Sequence, residues 1–223
     1  MRAARILRVA CLALGLALLG ASCSEPQRDP NGNGVRGGTL RVLSYAPFSG
    51  LDTADSYGPI VRPYARTLYG YNLAGPPEQK TVTVPDIAAG PPQVSSDRRT
   101  YTFTLRAGVR YAPPVNREVT AQDFITAIER LYDKEFPSGG QYYSNLIAGA
   151  SRYGAGEARR ISGLTAPDAR TLTITLDQPA EDLLSILALP FFAPVPGEYA
   201  AEYAVGDNYD GHVVGSGPYT VDT

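Results

Sequence analysis

The stretch Thr100-Tyr101-Thr102-Phe103-Thr104-Leu105 alternates threonine with a large apolar residue. Successive side chains of a strand point to opposite faces, so this period of two puts Tyr101, Phe103 and Leu105 on one face and the threonines on the other. Aromatic and β-branched residues suit such a half-buried surface. Asp97-Arg98-Arg99 supplies the turn before it, Arg106-Ala107-Gly108 the turn after it, and Val109-Arg110-Tyr111 resumes the alternation. The pattern returns in Thr171-Leu172-Thr173-Ile174-Thr175-Leu176, led in by the turn Pro167-Asp168-Ala169-Arg170.

Between the two strands the period changes. Phe124, Ile125, Ile128 and Leu131 follow helical spacing and predict a helix over 120–131, with Glu129 and Arg130 facing outward. Thr120 is its N-cap, and Asp123 sits near the positive end of the helix dipole. Every residue there has a structural explanation, so Asp123 receives no catalytic role. Further helices are expected over 59–69 from Pro59, over 142–150, and from Pro179 with Leu183, Leu184, Ile186 and Leu187 inside. A first strand is expected at 39–43, where Leu40 and Val42 alternate with polar neighbours. Strands and helices interleave, which predicts a mixed sheet with covering helices. Residues 44–52 carry aromatics among turn formers. They read either as a loop at a strand end, where open α/β sheets bind ligands, or as a connector packed on the core.

Hydrophobic residues make up 43 % and charged residues 19 % of the 223, as in a globular protein. At the N-terminus Arg2, Arg5 and Arg8 precede an apolar run over 9–19, then Gly20-Ala21-Ser22 and Cys23. The run has the length of a signal h-region and falls short of the ~20 residues that span a bilayer. Charged start, apolar middle, small residues and a cysteine resemble the lipoprotein signal of bacteria, in which the cysteine is lipidated and becomes the first residue after cleavage. That family usually has Leu three places before the cysteine, where Gly20 stands here. An ordinary secretory peptide, with no part for Cys23, is the plainer reading of the same residues. Residues 1–22 are thus expected to be a signal peptide. Residues 23–38, with Pro26, Pro30 and Asn31-Gly32-Asn33-Gly34, read as a flexible tether. Lipid on Cys23 would hold the domain at the outer face of the cytoplasmic membrane, or in the periplasm.

The net charge is −2, and removing the signal arginines leaves 17 basic residues against 22 acidic ones. No basic stripe remains to neutralise phosphates, which argues against nucleic acid as a partner. His212 is the one histidine beside two cysteines, which rules out a Cys/His zinc cluster. There is no Gly-x-Ser-x-Gly, no phosphate loop and no Ser-His-Asp set in local context. The sequence therefore assigns no catalytic residue, metal or cofactor, and the expected class is a binding module rather than an enzyme.

Four stretches carry a family resemblance: Gly37-Gly38-Thr39-Leu40-Arg41-Val42, the strand and turn over 101–111, Val119-Thr120-Ala121-Gln122-Asp123-Phe124 with Arg130 after it, and Val214-Gly215-Ser216-Gly217-Pro218-Tyr219. In this order, behind such a signal, they resemble the family 5 extracellular solute-binding proteins, which include oligopeptide, dipeptide and nickel binders. Ser216 stands where that family has Thr. The resemblance implies an α/β fold of the type II periplasmic-binding-protein kind, with two lobes closing on ligand across a hinge. Lobe I would comprise about 39–65 and 161–223, with an inserted subdomain at about 66–160 and the second lobe mostly missing. It implies a substrate-binding lipoprotein of an ABC importer that captures peptides and delivers them to permease subunits. The contacts carried from family position are Tyr45, Ala46, Phe48, Asp52, Gly217 and Tyr219. Family members are longer, so the chain is expected to be a fragment that cannot enclose ligand alone. Sensing a peptide signal without transport, or binding a different small solute, are the competing readings.

Overall fold

The two threonine-alternating segments are neighbours in space. The computed structural model describes residues 38–41, 50–56, 58, 60–135, 138–203 and 207–221. The strands are β1 (Tyr69–Tyr71), β2 (Thr83–Pro85), β3 (Gln93–Val94), β4 (Thr100–Thr104), β5 (Leu164–Asp168) and β6 (Thr171–Thr175). The helices are α1 (Ala121–Arg130), α2 (Gln141–Ser144), α3 (Ala150–Gly154), α4 (Leu183–Ile186), α5 (Gly197–Glu202) and α6 (Asp207–Asp210). One sheet has the order β3-β4-β6-β5 and a smaller ribbon pairs β1 with β2. All of these pairs are antiparallel. The expected mixture of parallel and antiparallel pairing is therefore not found among the described strands.

β4 and β6 run in register from Thr100↔Thr175 to Thr104↔Thr171, so threonine faces threonine across the ladder. Hydroxyls of Thr102 and Thr173 lie 3.3 Å apart, and those of Thr100 and Thr175 lie 3.4 Å apart. On the opposite face Phe103, Leu105, Leu172 and Ile174 are buried beneath Phe124, Ile125 and Ile128 of α1. Removing side chains of this size from water contributes about 1.5–3 kcal/mol each. Asp123 reaches back to the start of α1, where its Oδ2 accepts from the Thr120 backbone N–H at 2.8 Å and from the Thr120 hydroxyl at 3.0 Å. Arg117 bridges the same carboxylate to Glu198 of α5.

Several expected elements yield to tertiary pairing. The helix over 59–69 is replaced by turns, and from residue 67 the chain is extended: Leu68 O accepts from Asp86 N and Ala88 N, and Thr67 O from Ile87 N. Pro59 lies outside the described residues. The helix over 142–150 breaks into α2 and α3, because Ile147 bridges Leu176 and Ala148 N–H donates to Thr175 O at 2.9 Å. The helix after Pro179 is confined to α4, since the carbonyl of Ala180 accepts from the Tyr101 hydroxyl at 3.2 Å.

The chain divides into two compact units, Met1–Val42 and Leu43–Thr223. Of the first, residues 38–41 are described; they are exposed and irregular. Residues 39–41 of the expected strand at 39–43 are irregular; Val42 and Leu43 lie outside the described residues, as does Cys23. Strands on either side of the expected boundary near 160/161 pair with each other. β4, from the expected subdomain, pairs with β6 from the expected lobe I, and α1 packs on both β5 and β6. No described helix is long and apolar enough to cross a membrane.

Candidate ligand-facing edge

The last turn of α1 departs from its sequence pattern. Glu129 and Arg130, expected to face outward, are both turned inward. Arg130 donates to both oxygens of Asp52, through Nη2 to Oδ2 at 2.8 Å and through Nη1 to Oδ1 at 3.2 Å. The side chains are 8 % and 1 % exposed. A buried ion pair is tolerated only when its remaining hydrogen-bonding capacity is filled. Asp52 Oδ1 also accepts from Ala54 N–H at 2.9 Å, and the Tyr209 ring lies over the Arg130 guanidinium at 4.2 Å. Glu129 is satisfied differently: its Oε2 accepts from Arg160 at 2.6 Å and its Oε1 from Ile161 N–H at 3.2 Å.

Residues 50–54 are gripped from further directions. Asp210, at the end of α6, accepts at Oδ1 from Leu51 N–H at 2.8 Å and from Asp52 N–H at 2.6 Å. The Tyr64 hydroxyl donates to Leu51 O, and the Ser138 hydroxyl donates to Ala54 O. Burial, then the negative charges of Asp210 and Asp52, raises the Tyr64 phenol well above its ordinary range. Burial also raises Tyr209, against the opposing charge of Arg130. Both phenols therefore stay protonated at neutral pH, and Tyr64 keeps the proton it donates.

The Gly-Ser-Gly-Pro-Tyr stretch runs beside this segment. Gly217 N–H donates to Tyr64 O at 2.7 Å, Tyr219 N–H to Pro63 O at 3.1 Å, and Ala112 N–H to Gly215 O at 2.9 Å. The approach leaves no room for a side chain: a Cβ on Gly215 would fall 2.1 Å from Tyr64 O, and one on Gly217 would fall 2.5 Å from Pro63 O. Both glycines are thus required for close backbone approach. Ser216 is buried, while Tyr219 is 41 % exposed. The cavity enclosed beside Thr53, Tyr64, Tyr209 and Ser216 is only about 10 Å³. That is far below the ~300–1,000 Å³ of a small-molecule pocket, so these residues pack against one another and enclose no chamber of ligand size.

Of the six expected contacts, Tyr45, Ala46 and Phe48 lie outside the described residues. Asp52 is buried and its carboxylate accepts from Arg130. Gly217 and Tyr219 do come together with residues 50–54, through the Tyr64 and Pro63 carbonyls. Sequence reasoning missed Arg130, Tyr64, Tyr209 and Asp210. Arg130 and Asp210 meet Asp52 across 78 and 158 residues of chain, beyond any local signal. On another face, a cleft of about 510 Å³ is lined by Gln122, Glu129, Tyr153, Arg160 and Ala200 among others. It contains none of the expected contacts.

Residues 82–223 match the family described as bacterial extracellular solute-binding proteins, family 5 Middle. Dipeptide-binding protein DppE of Bacillus subtilis is 31 % identical over 56 % of the chain, which spans 23 % of that protein. Di/tripeptide-binding protein 2 of Pseudomonas aeruginosa is 28 % identical over 98 % of the chain, which spans 40 % of that protein. Among solved structures, clavulanic acid biosynthesis oligopeptide binding protein 2 superposes with a TM-score of 0.72 at 33 % identity, over 84 % of this chain and 34 % of its own. The chain spans less than half the length of each of these relatives.

Proposed function

The chain belongs to the bacterial extracellular solute-binding proteins, family 5, with the α/β fold of type II periplasmic binding proteins, and on that premise we propose that it binds peptides for an ABC importer. Residues 50–56 and 213–219 form its ligand-facing edge, and permease subunits receive the bound peptide. The observation that carries this reading is the joined edge itself. Two segments far apart in sequence are both tied to Tyr64, Leu51 through the Tyr64 hydroxyl and Gly217 through the Tyr64 backbone carbonyl, and Tyr219 stands exposed beside them. A rigid rim suits ligands recognised through a shared peptide backbone, where side chains vary. Tyr45, Ala46 and Phe48 complete the contact set with Gly217 and Tyr219. The role is binding without catalysis.

Lipid on Cys23 holds the exported protein at the membrane, and residues 23–38 give it reach. Two experiments test the proposal. The protein, taken from the cells that make it and freed of bound ligand, is titrated calorimetrically with pools of dipeptides, tripeptides and pentapeptides. Saturable heat with at least one pool, and none with free amino acids, is expected; flat titrations with every pool contradict peptide binding. Labelling with radioactive palmitate should mark the protein and fail for Cys23→Ala. Equal labelling of both, or of neither, contradicts the anchor.

A further inference from the structure

Tyr64 touches both halves of the edge at once. Its hydroxyl donates to Leu51 O, while its own carbonyl accepts from Gly217 N–H at 2.7 Å. Asp210 holds the first half from another side. Its carboxylate holds the backbone N–H groups of Leu51 and Asp52, and its main chain leads within a few residues into Val214 and Gly215. The Tyr209 ring beside it covers Arg130, whose guanidinium holds the Asp52 carboxylate. These ties are charged or polar; they reach 50–54 at Leu51 and Asp52 and 215–219 at Gly217.

We infer that Tyr64 and Asp210 are positioning residues that make residues 50–54 and 215–219 a single mechanical unit, so that loosening either segment loosens the other. The inference rests on the peptide-binding reading for its consequence in ligand release, but its geometric core stands without ligand. A carbonyl hydrogen bond at Tyr64 O is only as stable as the backbone position of Tyr64, and the side-chain anchor to Leu51 fixes that position. Asp210 acts through one carboxylate oxygen that accepts two N–H groups. An amide oxygen can accept the same pair, whereas a methyl group cannot. The effect should therefore follow the acceptor, not the charge.

The test is hydrogen–deuterium exchange on the complete protein, comparing wild type with Tyr64→Phe, Asp210→Ala and Asp210→Asn. Tyr64→Phe and Asp210→Ala should each raise exchange about tenfold, the scale of a local opening rather than global unfolding. The rise should appear at Leu51, Asp52 and Ala54 and equally at Gly217 and Tyr219, while the amides of β4 and β6 stay at wild-type rates. Asp210→Asn should remain within about threefold of wild type, since its oxygen keeps both N–H partners. A rise confined to one segment, no rise in either, or a rise throughout the sheet would overturn the inference. So would an Asp210→Asn protein that behaves as Asp210→Ala. In a second arm, a labelled peptide pool should leave Tyr64→Phe about ten times faster with its association rate unchanged; an unchanged release rate contradicts the positioning role. If wild type binds no peptide, the functional reading fails on its own, and the exchange arm still decides the coupling.

Discussion

The sheet beneath α1 and the ligand-facing edge are built on opposite principles. In the sheet, β4 and β6 pair at five successive positions, three of them threonine opposite threonine, and the reverse face is apolar and buried. Each contact repeats its neighbour, so stability is spread over many similar side chains. At the edge, residues 50–54 and 215–219 are held by a few unlike ties: the Asp52–Arg130 ion pair, the Asp210 carboxylate, the Tyr64 hydroxyl and two glycines against a carbonyl. Repetition gives a core whose stability is a sum of similar burials, each costly to remove. Singular ties give a surface fixed in one arrangement, where each member matters.

The largest expected effect is in the sheet. Phe103→Ala removes a fully buried ring and leaves a cavity, for a loss of about 4 kcal/mol in urea denaturation. A loss under 1 kcal/mol would mean that the core does not depend on this face. Next comes the edge. Arg130→Met leaves Asp52 buried without its partner and should lower stability by about 3 kcal/mol, whereas Asp52→Leu with Arg130→Met should recover most of that loss. If the double variant is as unstable as the two single losses summed, the pair is not the tie described. Gly217→Ala forces a Cβ against the Pro63 carbonyl and should cost about 2 kcal/mol, the scale of overpacking; a neutral result would show that the two backbones separate easily.

The smallest effect returns to the sheet and concerns pH. Asp97, in the turn between β3 and β4, has its pKa lowered to about 2, first by the Ser95 hydroxyl and then by the Arg99 backbone N–H. A carboxylate depressed on folding stabilises the protein above its unfolded pKa of about 3.9 and loses that contribution as pH falls towards 2. Asp97→Asn should flatten the change in urea midpoint between pH 4 and pH 2. An unchanged slope would remove this turn from the acid response.

The same contrast explains what could be read from the sequence. The Thr100 and Thr171 strands and the Thr120-capped helix are written in adjacent residues, as a period of two, a helical stripe and a cap, and all three form. Helices expected at 59–69 and 142–150 do not, because carbonyls and amides there find partners elsewhere: Leu68 with Asp86 and Ala88, Ala148 with Thr175. Local propensity is a weak preference that such pairing overrides. Of the edge, the glycines of 215–217 were visible through family likeness, but the buried roles of Asp52 and Arg130 were not. A carboxylate and a guanidinium 78 residues apart carry no sequence sign that they meet, and a charged residue on a helix ordinarily reads as solvent-facing.

The central claim is that peptide meets the protein along residues 50–56 and 213–219. The direct measurement is photo-crosslinking of the complete protein with a pool of peptides carrying benzophenone-alanine, followed by mass spectrometry of the adducts. The account predicts adducts that concentrate in 43–56 and 213–221, with Tyr219 among the marked residues, and that fade with excess unlabelled peptide. Competable adducts concentrated instead around Gln122, Tyr153, Arg160 and Ala200, with the edge unmarked, would contradict it.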